Sequence, residues 1–145
     1  MAEIFPNEGC AFILTIFPKN AAASGNSSST ALRLFTSQTA TTVVAASDTL
    51  ASVTETAYGS YVMQALQAVT WGASSISAGL GVKTAYTQIT FPTATSGPST
   101  INGFYISAAV TASVLVAQAN FDDGTAVTIN TNDVIKVTPA IIYGN

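Results

Sequence analysis

The chain has no histidine and few charged residues of any kind. Four Lys or Arg and seven Asp or Glu make up 8% of its 145 residues, whereas an ordinary soluble domain is about 25% charged. Without histidine, the Ser–His–Asp and Cys–His arrangements of nucleophilic catalysis are excluded. Thr, Ser and Ala take the place of the charges, with 21, 15 and 24 copies. A surface of hydroxyl and methyl groups favours close contact with other protein, so the composition predicts a non-enzymatic role.

The four cationic residues are far apart in sequence, at Lys19, Arg33, Lys83 and Lys136. The net charge is −3 and the isoelectric point is near 4.4. Binding to nucleic acid through its phosphates needs clustered Lys and Arg, and attraction to an anionic membrane surface needs the same. Neither nucleic acid nor a membrane is therefore an expected partner.

Residues that could hold a metal or cofactor are equally scarce. Cys10 is the single cysteine, which excludes an intrachain disulfide and a thiolate metal cage, and we interpret it as a small buried apolar residue. Asp122-Asp123-Gly124 is typical of a turn, although Asp122, Asp123 or Asp133 could also serve a loose surface calcium ion. No catalytic residue, cofactor or metal site is predicted.

Long apolar runs are absent as well, and none reaches the roughly 18 residues of a membrane helix. The longest candidate, Cys10–Phe17, is preceded by Glu3 and Glu8 and by no Lys or Arg, unlike a signal peptide. We therefore expect a protein made and used without export by the standard route. Asn7 is a candidate helix cap, so this run predicts a short helix that ends before Pro18, but its β-branched residues also allow a strand.

The rest of the chain is predicted to be mainly β. Residues 20–30 have the composition of a flexible loop, and short Thr- and Val-rich segments with Gly and Pro turns follow at a spacing typical of antiparallel structure. The predicted fold is a single domain over residues 1–145, an antiparallel β-sandwich or barrel with a short N-terminal helix and arm at residues 1–19. Predicted strands include 31–36, 61–71 (with helix as the alternative), 82–91, 101–108, 114–119, 126–129 and 134–142.

Several predicted strands are apolar on both faces. Phe104 and Ile106 alternate with Gly103 and Tyr105, whereas a half-exposed antiparallel sheet should carry polar residues on one face. The second face therefore has to be covered, either by the N-terminal segment or by another subunit.

The aromatic residues leave two interpretations open. Trp71 ends an apolar run, which favours packing in the core or at a subunit interface over stacking on a sugar or a base. Tyr58 and Tyr61 flank Gly59 close to Glu55. They form either a recognition patch or, more simply, packed aromatics where a strand begins.

Short motifs in a fixed order run along nearly the whole chain. They are Phe5-Pro6-Asn7-Glu8-Gly9, Leu32-Arg33-Leu34-Phe35-Thr36, Glu55-Thr56-Ala57-Tyr58-Gly59, Trp71, Tyr86-Thr87-Gln88-Ile89-Thr90-Phe91, Gly103-Phe104-Tyr105-Ile106, Asn120-Phe121 and Asp133-Val134-Ile135-Lys136-Val137-Thr138-Pro139. This order resembles small virion structural proteins encoded by tailed bacteriophages, including those of cyanobacteria and other aquatic hosts. Many such proteins are capsid decoration, or cement, proteins: β-rich subunits, often trimeric, on the exterior of the head.

The resemblance implies a protein of the capsid exterior, assembled in the host cytoplasm, that stabilises contacts between major capsid protein subunits and forms a homotrimer. The alternatives are a tail, fibre or head–tail component and a glycan-binding surface module that uses exposed Tyr or Trp. Our hypothesis places capsid binding in the N-terminal segment with the loop at 20–30, and self-association in the C-terminal strand. The hypothetical interface residues are Ile4, Phe5, Pro6, Asn7, Val137, Ile141 and Ile142.

Overall fold

A computed structural model describes residues 30–38, 49–67, 70–77, 81–108, 114–121 and 125–143. The chain divides into two compact units, each assembled from distant parts of the sequence. The larger unit comprises Ser28–Leu66 and Ile89–Lys136, and the smaller unit comprises Met1–Ser27, Gln67–Gln88 and Val137–Asn145. That all 145 residues fold as one domain stays a prediction.

Short strands account for nearly all regular structure in the described residues. Thr and Val favour them because branched side chains fit a pleated surface, and one 3-10 helix of three residues, Leu50–Ser52, is present in the same ranges. The strands are β1 Thr30–Gln38, β2 Val53–Glu55, β3 Gln64–Ala65, β4 Ser75–Ser77, β5 Gly81–Ala85, β6 Ile89–Thr90, β7 Ser99–Ile101, β8 Gly103–Ala108, β9 Val114–Asn120, β10 Val127–Ile129, β11 Lys136–Val137 and β12 Ala140–Tyr143.

The larger unit is built on an antiparallel sheet of order β2-β1-β8-β9, with β3 also paired to β1. Both faces of its central strands are buried. Leu32 pairs with Ile106 on one face, and Arg33 pairs with Tyr105 on the other; all four are at most 8% exposed. Burial of the second face is therefore confirmed for β1 and β8, whereas its covering by the N-terminal segment or by another subunit stays a prediction. That face carries polar groups among its apolar ones.

The larger unit also contains two smaller backbone pairings. Strands β7 and β10 pair antiparallel through Ser99–Ile101 and Val127–Ile129. Just after β6, the Phe91 N–H donates to the Ile135 carbonyl at 3.0 Å, and both side chains are buried. The fully buried Phe91 and Ile101 thus belong to the apolar core together with Phe35 of β1.

The smaller unit contains an antiparallel sheet of order β12-β5-β4. Strand β5 alternates cleanly, because Val82 and Thr84 are buried while Lys83 between them is exposed. Next to this sheet, Trp71 forms an isolated bridge with Tyr86. Their rings pack edge to face with centroids 5.2 Å apart, an arrangement that adds to the apolar area buried by the pair.

The fold class is confirmed at the level of a mainly β protein with antiparallel sheets, and none of the described sheets closes into a barrel. The face-to-face packing of a sandwich stays a prediction. The proposed N-terminal helix and arm at 1–19, and all but the last residue of the loop at 20–30, lie outside the described residues. In the described ranges, no helix has seven or more residues, and none is long and apolar enough to cross a membrane.

Strand positions were predicted better than strand lengths. The predictions at 31–36, 114–119 and 126–129 correspond to β1, β9 and β10. The prediction of one long strand, or alternatively a helix, at 61–71 is wrong, because among the described residues of this range Gln64–Ala65 forms a strand of two residues and Trp71 forms an isolated bridge. The remaining predicted strands at 82–91, 101–108 and 134–142 are each interrupted.

Candidate functional site

A partly buried ion pair lies on the polar face of the principal sheet in the larger unit. Arg33 of β1 donates from Nη1 to Oε2 of Glu55 at 2.7 Å. Its Nε–H also donates to Oγ of the buried Ser107 at 3.2 Å, and Nη2 lies 3.1 Å from the sulfur of Met63. The arginine side chain is only 10% exposed, so these partners replace the water that a guanidinium loses on burial.

Strand pairing brings Glu55 to this face of the sheet. Glu55 ends β2 and lies opposite Phe35 of β1, and its side chain is 31% exposed. Its second oxygen, Oε1, accepts a hydrogen bond from the Tyr61 hydroxyl at 2.8 Å. That hydroxyl in turn accepts from the Leu34 N–H at 3.1 Å. The carboxylate is therefore held by Arg33 and by Tyr61, and the Tyr61 hydroxyl links it to the backbone of β1 at Leu34.

Aromatic rings surround the ion pair. Tyr61 packs edge to face against Tyr58, with centroids 5.3 Å apart, and stacks on Phe91 at 6.0 Å. Tyr105, opposite Arg33 on β8, is 2% exposed and lies close enough to Arg33 and Glu55 for both to influence its pKa. We call Arg33, Glu55, Tyr61 and Tyr105 the polar network.

A cleft of about 370 Å³ opens to solvent beside the polar network. Glu55 forms part of its lining, together with Tyr58 and Thr36. The rest of the lining is Ala57 and the turn at 96–99, which contains the cis peptide bond Gly97–Pro98. This turn is held in place because the Gly59 N–H donates to Ser96 Oγ at 2.9 Å. The cleft is thus a concave surface with one carboxylate, several hydroxyls and an aromatic ring.

Burial keeps the network tyrosines protonated. Burial, together with the neighbouring Glu55 carboxylate and against the opposing effect of Arg33, raises the pKa of Tyr105 to about 12. Burial also raises the pKa of Tyr61 far above its ordinary value of 10, against the opposing effect of the hydrogen bond from Leu34. Burial alone raises the pKa of Tyr58. Each hydroxyl is therefore a hydrogen-bond donor across the physiological range.

We expect alkaline pH to destabilise the larger unit. A tyrosine whose pKa is higher in the folded than in the unfolded chain contributes stability that is complete below about pH 10. That contribution is lost as the pH rises from 10 through the folded value, which is about 12 for Tyr105. Ultraviolet titration of tyrosinate should show late-ionising tyrosines, and Tyr105→Phe should remove one of them. Ionisation of all five tyrosines near pH 10 while circular dichroism stays native would contradict the burial of the network.

The predicted interface residues fall into two groups. Ile4, Phe5, Pro6 and Asn7 lie outside the described residues. Of the C-terminal three, Val137 is 5% exposed, Ile141 is half-buried and Ile142 is 48% exposed. Val137 is therefore buried within the chain, and Ile142 has the largest exposed area of the three.

The structure also locates the residues considered for chemistry. Trp71, at 6% exposed, is packed in the core as predicted. Cys10, Asp122 and Asp123 lie outside the described residues. Asp133 accepts from the Asn130 N–H at 2.8 Å and closes a turn at 130–133. Within the described ranges, no three His, Cys, Asp or Glu side chains are grouped so as to hold a metal ion.

Sequence reasoning found one half of this site and missed the other. It placed Glu55, Tyr58 and Tyr61 near one another, and the structure brings all three together. It missed Arg33 and Tyr105. The available signal was Arg33 itself, a lone cation in an otherwise apolar strand, because a buried charge requires a partner.

Comparison of the chain with protein-family models, with curated protein sequences and with solved structures finds no match.

Proposed function

We propose that the chain is a non-enzymatic structural protein of a tailed-phage virion. Its specific role would be that of a capsid decoration, or cement, protein on the exterior of the head, where it stabilises contacts between major capsid protein subunits. The order of sequence motifs supports this proposal, and so does the composition. A protein that binds one site permanently needs contact surface rather than titratable groups, and few charges lower the desolvation cost when broad surfaces meet.

The observation that carries the proposal is an uncharged edge strand in each unit. Within the described residues, β9 pairs with β8 alone and β12 pairs with β5 alone. Neither Val114–Asn120 nor Ala140–Tyr143 contains a charge or a proline. Monomeric proteins usually protect edge strands with charge, proline or a cover, because an open edge is a template for pairing with another chain. Uncharged edges suit a protein that works in an assembly.

For self-association as a homotrimer, we favour β12. Ile142 is 48% exposed on this strand and lies opposite the exposed Lys83 of β5. An apolar side chain on a strand edge with which no described residue pairs supplies both area and hydrogen-bonding groups for a second copy.

Ile142→Lys is expected to convert the trimer to monomer, because burying an unpaired ammonium at an interface costs several kcal/mol. Ile76→Lys is the matched control. It places the same charge on the other edge strand of the same sheet, where Ile76 is 69% exposed. Light scattering coupled to size-exclusion chromatography distinguishes the two. A monomeric wild-type protein, or equal behaviour of both variants, would refute the assignment to β12.

Deletion of residues 1–9 is expected to abolish binding to phage heads, because the hypothesis places the capsid contact in that segment. The measurement is occupancy on purified particles by quantitative mass spectrometry, with circular dichroism of the deleted protein as the folding control. Undiminished occupancy of a folded deletion variant would reject the assignment.

Copy number in purified virions separates head from tail. Hundreds of copies per particle are expected of a cement protein, because it follows the capsid lattice, whereas a handful would indicate a tail, fibre or head–tail component. The same quantitative mass spectrometry, normalised to the major capsid protein, gives the answer.

A further inference from the structure

The cleft at Glu55 has no role in the assembly function proposed above. Its volume of about 370 Å³ is at the lower end of the roughly 300–1,000 Å³ of small-molecule sites. Such a volume suits a single ring rather than an extended chain. The cleft lies entirely within the larger unit.

Charge narrows the class of ligand. Glu55 is the one carboxylate in the lining, and the lining contains no cation. Arg33, which is not a lining residue, forms an ion pair with Glu55 at 2.7 Å and so balances its charge. A phosphate or carboxylate ligand would meet Glu55 without a free cation in the lining, and a metal ion would find a single carboxylate. The electrostatics therefore favour a neutral ligand.

The hydrogen-bonding groups of the lining point to hydroxyls on the ligand. A carboxylate accepts up to about four hydrogen bonds, and Glu55, whose side chain is 31% exposed, keeps acceptor capacity beyond its bonds to Arg33 and Tyr61. Ser96 Oγ accepts from the Gly59 N–H, which leaves its own hydrogen for donation. Adjacent hydroxyls that donate to Glu55 and accept from Ser96 satisfy both groups.

Tyr58 provides a further polar group and an apolar surface. It lines the cleft while being only 6% exposed, and no residue in the described ranges hydrogen-bonds to its hydroxyl. Its ring is held edge to face against Tyr61, and Glu55 is held by the same tyrosine and by Arg33. Both groups are thus fixed before any ligand arrives, which lowers the entropic cost of binding.

We propose that this cleft binds one neutral pyranose ring, such as the terminal sugar of a surface glycan. Glu55 accepts from ligand hydroxyls, Ser96 donates to them, and Tyr58 contributes its hydroxyl and ring edge. This differs from a platform of exposed aromatics, because Tyr58 and Trp71 are both buried. Binding would be a property of the isolated protein and does not depend on a virion location.

The test is amide NMR of the labelled full-length protein titrated with free glucose, galactose, mannose, N-acetylglucosamine and N-acetylgalactosamine. A small neutral ligand with few hydrogen bonds is expected to bind with a Kd of about 1 mM or weaker. We expect at least one of these sugars to shift the amides of Ala57, Ser96 and Ser99 saturably. Ala57 is exposed in the cleft lining, so Ala57→Leu should fill the cleft and abolish the shifts.

Ala51→Leu is the matched control, since Ala51 is also exposed but lies in the 3-10 helix outside the cleft; it should keep wild-type binding. Tyr58→Phe should weaken binding roughly threefold to tenfold, the value of one lost hydrogen bond. The proposal is overturned if no sugar moves the cleft amides, or if Ala57→Leu leaves the shifts intact. It is also overturned if acetate or inorganic phosphate binds there and the sugars do not. Unfolding curves of both leucine variants that match wild type establish that lost binding reflects a filled cleft.

Discussion

Gly103→Ala is expected to destabilise the larger unit by about 3 kcal/mol or more. Gly103 is the first residue of β8 and is buried opposite Asn120 of β9. A Cβ at this position would lie 2.8 Å from Asn120 Cα and 2.8 Å from Phe35 Cε1, and it would also meet the Ala119 carbonyl oxygen. Two of these three neighbours are backbone atoms of β9, so the strands would have to separate to admit one methyl group.

Gly72→Ala is the control for the intrinsic effect of replacing glycine. Gly72 is exposed, and an added Cβ there would have one near neighbour, the Ala85 carbonyl oxygen at 3.3 Å, so we expect a change of less than about 1 kcal/mol. The measurement is denaturant unfolding followed by far-ultraviolet circular dichroism. Phe35→Leu should not rescue Gly103→Ala, because it relieves the ring contact and leaves the backbone contacts. Equal stability of the two glycine variants would show that β8 and β9 are not packed this closely.

The sequence pattern predicted which segments form strands but not where tertiary contacts interrupt them. Asn102 separates β7 from β8 because its backbone N–H donates to the Phe35 carbonyl and its side chain donates to the Thr36 carbonyl. Pro139 separates β11 from β12, since it has no N–H for a ladder, and its carbonyl accepts from the Tyr86 N–H. The alternation of apolar residues carries no information about such partners, which are distant in sequence.

The same limit applies to the candidate site. The spacing of Glu55, Tyr58 and Tyr61 marked a local cluster, because these residues are neighbours along the chain. Arg33 enters through strand pairing, and the turn at Ser96 enters through hydrogen bonds with Gly59. Such contacts follow from sheet register, which a single sequence specifies weakly when both faces of a strand are buried.

The polar network accounts for the burial of the chain's single arginine, which composition alone does not explain. The chain has eleven charged residues, and Arg33 is its only arginine. This arginine is nevertheless buried against Glu55 on the polar face of the sheet. Arginine presents donors in a fixed planar fork, and here it contacts β2, β8 and the segment that contains Met63. Three separate elements therefore contact the Arg33 side chain. These contacts are consistent with a role for Arg33 in fixing the register of strands that are buried on both faces.

Glu55→Gln is expected to cost about 3 kcal/mol and Arg33→Met about 2 kcal/mol, because breaking a partly buried pair leaves the surviving charge without an oppositely charged partner. The order follows from burial. Loss of Glu55 leaves a guanidinium that is 10% exposed, whereas loss of Arg33 leaves a carboxylate that is 31% exposed and still bonded to Tyr61. Water can solvate the second charge better than the first.

The double variant Arg33→Met/Glu55→Gln is expected to lose about as much as Arg33→Met alone, since neither charge then remains without a partner. The double-mutant cycle should therefore give a coupling energy well above the roughly 0–1 kcal/mol of a surface pair. Denaturant unfolding of the four proteins at neutral pH measures it. Additive effects, or a larger loss in Arg33→Met than in Glu55→Gln, would indicate a solvent-screened pair and would remove the argument that Arg33 fixes the register of the sheet.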